Sequence, residues 1–96
     1  MHVVINTANI NAREIPINDT AAQLVRLGFN PSESGTVEVI KALSAALISV
    51  CEDLRVDNIT CGRHASLAIT DIESAAMWAV KAATTAPETP DAKVRA

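Results

Sequence analysis

The chain has 96 residues and a formal net charge of −3, and its aromatic residues are one Trp and one Phe. This length limits it to one domain, and its negative charge with dispersed basic residues excludes a general affinity for DNA, RNA or anionic membranes. No apolar run reaches membrane-spanning length, and no leader-like segment opens the sequence. We therefore expect a cytosolic protein with reduced cysteines, whose small Ala-rich core favours a homo-oligomer.

The N-terminal part contains two short predicted elements. Residues 2–5 are mostly β-branched, which favours a short strand, and we expect it to pair only within an oligomer because no sustained alternation follows. Residues 20–27 place their apolar side chains mostly on one side and predict a first helix. Asn18 or Asp19 is suited to cap this helix, and Gly28 is suited to end it.

A second, longer helix is predicted over residues 36–55, with Ser34 or Thr36 as its cap. Its apolar residues form two neighbouring seams. The first seam is Val37, Ile40, Leu47, Cys51 and Leu54, and the second is Val39, Leu43, Ala46 and Val50. The residues that mark a narrow solvent-facing side are Glu38, Lys41, Ser49, Glu52 and Asp53. Two seams require two partners, so we expect a hairpin mate on one side and another subunit on the other.

A third helix is predicted from Thr60, its cap, to about residue 84, because Pro87 prevents further extension. Residues 87–96 contain two prolines and almost nothing to bury, so we expect a disordered tail. The predicted fold is mainly α. It has a short N-terminal helix, two long antiparallel helices that form a hairpin, and a short N-terminal strand, in a single domain over residues 1–86.

Four residues of the third helix recur at spacings of seven, seven and four: Arg63, Thr70, Met77 and Lys81. These spacings place them on one side, with Arg63 and Thr70 separated by about 10 Å along the axis. Arg63 lies in the first turn, where exposed N–H groups and the helix dipole also favour an anion. No hydrolytic group accompanies them, which favours a protein that holds a phosphorylated small molecule without transforming it.

Each of these residues also has a structural interpretation. An Arg in a first helical turn is usually solvated or paired with a nearby carboxylate such as Asp57. A Thr in a helix, like Thr70, most often bonds to its own backbone. Met77 and Trp78 are typical of a core or an interface.

Neither a metal site nor a catalytic site is predicted. Cys61 and His64 form a C-x-x-H pair, with Cys51 and His2 as conceivable further ligands, but structural zinc sites usually present paired ligand clusters. No Cys-His pair or Ser has a recognisable orienting third group, so we expect no catalytic residues and no cofactor.

The third helix, RHASLAITDIESAAMWAVKAA, resembles the C-terminal helix of the phage cyclic-oligonucleotide sponges. This is the hairpin family shared by the anti-CBASS sponges and one branch of the Thoeris anti-defence proteins. In that family an Arg begins the helix, a Thr follows seven residues later, and a Met, a basic residue and an Ala complete the pattern. The preceding helix, FNPSESGTVEVIKALSAALISVCEDL, matches more loosely.

The resemblance implies a hexamer that sequesters immune signalling nucleotides in the host cytoplasm without cleaving them. A pocket where three protomers meet takes cyclic trinucleotides, and by resemblance Arg63 and Thr70 serve it. A second pocket, between paired protomers, takes cyclic dinucleotides or a cyclic ADP-ribose isomer. No Tyr is present to stack on a base in that second pocket, so we assign the stacking role to Phe29 and the phosphate contact to Arg26 or Lys41.

Two other classes of function remain open. One is a helical interaction or structural phage protein, whose apolar seams recruit a partner and whose Arg63 makes a salt bridge. The other, more distant, is a hydrolase, which would release linear products from a cyclic nucleotide. A gain in thermal stability with cyclic nucleotides would distinguish a sponge from a pure interaction module.

Overall fold

The computed structural model describes residues 1–57 and 59–85. The elements, in chain order, are β1 (His2–Ile5), β2 (Arg13–Pro16), α1 (Asp19–Leu24), α2 (Gly35–Asp57), a 3₁₀ turn (Ile59–Cys61) and α3 (Gly62–Thr85). The prediction of a mainly helical chain with a short first helix, two long helices and an N-terminal strand is confirmed. The predicted tail, residues 87–96, lies outside the described residues, and the single domain over residues 1–86 stays a prediction.

The N-terminal strand pairs within its own chain. β1 and β2 form a two-stranded antiparallel sheet in which Val3 lies opposite Ile15. Val3, Ile5 and Ile15 are half-buried, and both strands contact α2. The expectation that residues 2–5 pair only in an oligomer is therefore wrong. The partner strand ends at Pro16, a residue that an open sheet edge tolerates because no ladder donor is needed there.

Helix α1 begins at Asp19, one residue before the predicted start, and ends at Leu24, three residues before the predicted end. The side chain of Asn18 caps it by accepting a hydrogen bond from the backbone N–H of Ala21 at 2.7 Å. The helix ends at Leu24 because Arg26 adopts a left-handed backbone conformation with φ of 52°. This conformation is unfavourable for a residue with a Cβ atom, so other contacts must hold the chain there. The prediction that Gly28 ends the helix is wrong, because the chain has already turned at Arg26.

Helices α2 and α3 pack against each other and form the hairpin. Ser34 caps α2 by accepting a hydrogen bond from Val37 N–H at 3.3 Å, and α3 begins one residue later than predicted, because Thr60 lies in the 3₁₀ turn. The buried hydrophobic residues that form the core are Ala21, Val25, Ala45, Ile48, Cys51, Ile69 and Ala76. Small side chains dominate this set, so the two helices approach closely but bury little apolar area per residue.

The predicted solvent-facing side of α2 is wrong at two positions. Lys41 and Ser49 are both buried, because α1 and the segments that flank it cover this side of the helix. Ser49 Oγ accepts a hydrogen bond from Asn18 N–H at 3.1 Å and donates one to the carbonyl of Ala45 at 2.9 Å. Burial of these polar groups is tolerated because each has hydrogen-bond partners.

The division of the apolar residues of α2 into buried and exposed ones does not follow the two predicted seams. Val37 and Cys51 from the first seam and Ala46 from the second are buried. Val56, near the end of α2, is 76% exposed, and four other large apolar residues of the helix are also more than half exposed: Val39, Leu43, Leu47 and Leu54. At 3.6 residues per turn these four span an arc of about 80°, so they form one stripe, which we call the α2 apolar stripe.

We predict that Ser49→Ala destabilises the protein. The substitution leaves the Asn18 N–H without its acceptor in a partly buried position, which typically costs about 1–3 kcal/mol. Ser44→Ala is the matched control, because Ser44 Oγ bonds only to the carbonyl of Ile40 in its own helix. Urea denaturation followed by circular dichroism measures both variants at one protein concentration. Equal stability of the two variants would contradict the role given to Ser49.

Candidate functional site

The stripe predicted on α3 is accessible to solvent along its whole length. Arg63 is the second residue of α3, and Arg63, Thr70, Met77 and Lys81 are all exposed. Their spacing places them within an arc of about 40°. None of the four belongs to the core of the hairpin.

Arg63 has no ion-pair partner in the described part of the chain. The ion pairs found there join His2 to Glu14 and Arg55 to Glu52, so Asp57 does not neutralise Arg63. Its guanidinium is thus available for an external anion, next to the N-terminal end of α3.

Thr70 follows the structural interpretation in part. Its Oγ1 donates a hydrogen bond to the carbonyl of Ser66 at 3.2 Å, within the same helix. A phosphate oxygen only accepts hydrogen bonds, so an anionic ligand must compete with Ser66 for this single O–H donor. Because Thr70 is exposed, that exchange requires only rotation of the hydroxyl group.

A surface cavity of about 490 Å³ lies where the end of α1 meets α2 and the C-terminal half of α3. Its polar residues are Arg26, Lys41 and Glu73. Its apolar residues are Leu24, Val25, Ala76, Met77 and Val80. The structure thus brings together two of the three residues predicted for the second pocket, Arg26 and Lys41. Phe29 does not line the cavity, and neither do Arg63 and Thr70.

Lys41 is held by the connector between α1 and α2. Only 7% of the residue is exposed, and its Nζ donates hydrogen bonds to the carbonyl of Arg26 at 3.0 Å and to the carbonyl of Phe29. The same ammonium lies 5.5 Å from the centroid of the Phe29 ring, in cation–π geometry. These contacts fix the left-handed turn at Arg26 and occupy two of the three donors of the ammonium.

The charge of Lys41 nevertheless remains in the cavity wall. No carboxylate pairs with Lys41 among residues 1–57 and 59–85, so its positive charge adds to that of Arg26. Phe29 is 58% exposed and lies outside the cavity wall, beside the buried ammonium.

Glu73 was not predicted as a site residue. The sequence signal for it is its position four residues before Met77, which puts the two on neighbouring parts of one helix face. That signal does not reveal a cavity, because the facing wall comes from the end of α1 and its path is set by tertiary contacts.

The model of the Acb2/Tad1 hairpin domain matches residues 19–84. The chain belongs to this family. The match begins at the first residue of α1 and ends one residue before the end of α3, so β1 and β2 lie outside it. Comparison with curated proteins and with solved structures gives no significant match.

Membership in the Acb2/Tad1 hairpin family confirms the resemblance seen in residues 63–83. It supports a general role in binding cyclic oligonucleotides as a sponge. Arg26, Lys41, Arg63 and Thr70 all lie within the matched region.

The described residues lack two further features. They contain no group of three His, Cys, Asp or Glu side chains placed to hold a metal ion. None of their helices combines the length and the apolar character that a membrane crossing requires.

We predict that Lys41→Met lowers the free energy of unfolding by about 1.5–3 kcal/mol. The Arg26 and Phe29 carbonyls would lose a charged donor at a partly buried position. Lys81→Met serves as the control, since Lys81 is exposed and its ammonium lies 5.3 Å from the Trp78 ring centroid, a contact worth about 0.5–1 kcal/mol. Denaturation with urea measures the free energy of unfolding of both variants. A loss no larger for Lys41→Met than for Lys81→Met would contradict the anchoring role.

Proposed function

We propose that this protein is a sponge that captures cyclic oligonucleotide immune messengers in the host cytoplasm and holds them without cleavage. The observation that carries the proposal is the guanidinium of Arg63 at the start of α3, which has no ion-pair partner among the described residues, within a chain of the Acb2/Tad1 hairpin family. The role is sequestration, so the ligand is expected to be recovered intact when the protein is denatured. Recovery of linear products would instead indicate a hydrolase.

The first proposed site uses Arg63 and Thr70 from three protomers and takes a cyclic trinucleotide. Three guanidinium groups brought together at a three-fold contact repel one another unless an anion lies between them. A cyclic trinucleotide carries three phosphates in the same symmetry. Charge-assisted hydrogen bonds contribute about 1.5–3 kcal/mol each, so three sets support nanomolar affinity after the costs of association.

Self-association is supported by the apolar surface of the protomer, and the hexamer is what the family resemblance implies. Besides the α2 apolar stripe, Leu67 and Trp78 of α3 are 51% and 66% exposed. A monomer rarely leaves this many large side chains in water, and a second copy offers the same surface in complementary symmetry.

The second proposed site is the cavity lined by Arg26 and Lys41, and it takes a cyclic dinucleotide. Arg26 supplies a mobile, exposed cation, whereas the fixed ammonium of Lys41 supplies positive potential and one remaining donor. Phe29 joins the site only if a paired protomer extends the wall to it. A cyclic ADP-ribose isomer carries similar phosphate chemistry and is the alternative ligand.

A helical interaction protein is the second candidate function. The α2 apolar stripe favours it, because the same residues would suit a different helical partner. In that case Arg63 would have no ligand and cyclic nucleotides would not affect stability.

We predict a rise of several degrees in the melting temperature with cyclic ligands. A ligand present at 100 times its dissociation constant adds about 2.7 kcal/mol to the stability of the native state. The measurement is a thermal-shift panel of the purified protein with cyclic trinucleotides, cyclic dinucleotides, a cyclic ADP-ribose isomer and the corresponding linear nucleotides. No shift with any cyclic ligand in a folded oligomer would favour the interaction protein.

We predict that Arg63→Glu abolishes binding of a cyclic trinucleotide and leaves assembly intact. Arg63 is exposed and makes no ion pair within residues 1–57 and 59–85, so reversal of its charge should act on the ligand and not on the fold. Thr70→Val keeps the shape of the side chain and removes three hydroxyl donors from each three-fold site, so it should weaken binding by at least about tenfold. Isothermal titration calorimetry measures affinity, and light scattering measures the oligomer.

The control for Arg63→Glu is Arg13→Glu, which makes the same charge change at an exposed position of β2, outside the family match. It should leave the trinucleotide affinity close to that of the wild-type protein. Trinucleotide binding that survives Arg63→Glu would reject the assignment of the site.

A further inference from the structure

The cavity contains one acidic residue whose presence a phosphate-binding role does not explain. Glu73 lines the same wall as Arg26 and Lys41 and is half-buried. It forms no ion pair with either cation within the described residues, where the ion pairs are His2–Glu14 and Arg55–Glu52. Neither cation of the cavity therefore neutralises its carboxylate by direct contact.

A free carboxylate is unfavourable next to a phosphate, because like charges repel more strongly at a partly buried position than in water. The cavity still has a net positive charge, with two cations against one anion, so a phosphodiester is attracted to the side of Arg26 and Lys41. The part of the ligand that meets Glu73 must instead be neutral and must donate hydrogen bonds, since an ionised carboxylate only accepts them.

Among the nucleobases, guanine meets that requirement best. Its N1–H and N2–H₂ groups lie side by side on one edge and point the same way, so they bond both oxygens of one carboxylate. Adenine places a single N6–H₂ donor beside the N1 acceptor, and uracil places a single N3–H between two carbonyl oxygens. Both present an acceptor lone pair to the carboxylate where guanine presents a second donor.

We propose that Glu73 is a specificity-determining residue that selects a guanine base in the cavity. This inference rests on the proposed function, because it assumes that a cyclic dinucleotide occupies the site. The carboxylate accepts from N1–H and N2–H₂ of guanine, while the guanidinium of Arg26 binds a phosphate.

The apolar wall suits the body of a base. Leu24, Val25 and Val80 present aliphatic surface, and Met77 adds a polarizable thioether that packs well against aromatic rings. A volume of about 490 Å³ lies within the range of roughly 300–1,000 Å³ typical of small-molecule sites. Polar selection at one end and apolar contact along the sides is the usual arrangement of such a site.

The test compares cyclic di-GMP with cyclic di-AMP by isothermal titration calorimetry. The wild-type protein should bind cyclic di-GMP about 10–100-fold more tightly, the discrimination that a bidentate contact to a base provides. Glu73→Gln should weaken cyclic di-GMP binding by at least about tenfold and leave cyclic di-AMP binding unchanged or tighter, because one carboxylate oxygen is replaced by an NH₂ donor. Glu73→Asp keeps the carboxylate and should retain part of the preference.

The matched control is Asp53→Asn, which removes one negative charge at an exposed position of α2 outside the cavity. It should alter the two affinities equally or not at all. Because Arg63 does not line the cavity, the guanine preference should also persist in Arg63→Glu. Equal affinity of the wild-type protein for both dinucleotides, or an equal change for both in Glu73→Gln, would overturn the inference.

A cyclic trinucleotide titrated alongside separates this inference from the proposed function. If the trinucleotide binds and neither dinucleotide does, the role of Glu73 is rejected and the sponge function stands. If neither these ligands nor the cyclic ADP-ribose isomer binds, both are rejected.

Discussion

The buried ammonium of Lys41 is the contact on which the arrangement of the candidate site depends. It joins the carbonyls of Arg26 and Phe29 to the middle of the hairpin, and so holds the chain in the turn that ends α1. That turn directs Arg26 to one side of a cavity whose other side is α3. Lys41 therefore has two roles. Its hydrogen bonds hold the connector in place, and its positive charge contributes to the wall of the cavity.

The apolar residues of the hairpin fall into two groups, those that form the core and those that remain on the surface. Its core consists largely of small side chains with a few aliphatic ones, whereas several larger residues of α2 and α3 remain more than half exposed. A chain of this size gains limited stability from such a core. The larger apolar residues that are absent from the core remain on the surface, where they are available for self-association. The proposed three-fold site at Arg63 requires such self-association.

Two regions of the chain are proposed to meet a ligand, and they differ in construction. Arg63 and Thr70 lie on one exposed helix face, so a complete pocket there depends on other protomers. Arg26, Lys41 and Glu73 come from three segments of one chain and already enclose a cavity. Loss of assembly should therefore impair the first site more than the second.

The sequence alone was enough to predict the three helices, the family and the exposed stripe of Arg63 and Thr70, and it narrowed each of the first two caps to a pair of residues that includes Asn18 or Ser34. These depend on periodicity and on neighbours within one helix, where spacing sets position. Tertiary structure alone decided the pairing of β1 with β2, the burial of Lys41 and Ser49, and the approach of Glu73 to Arg26. The physical reason is that helical periodicity shows which residues share a face, whereas the path of the connectors decides what covers that face.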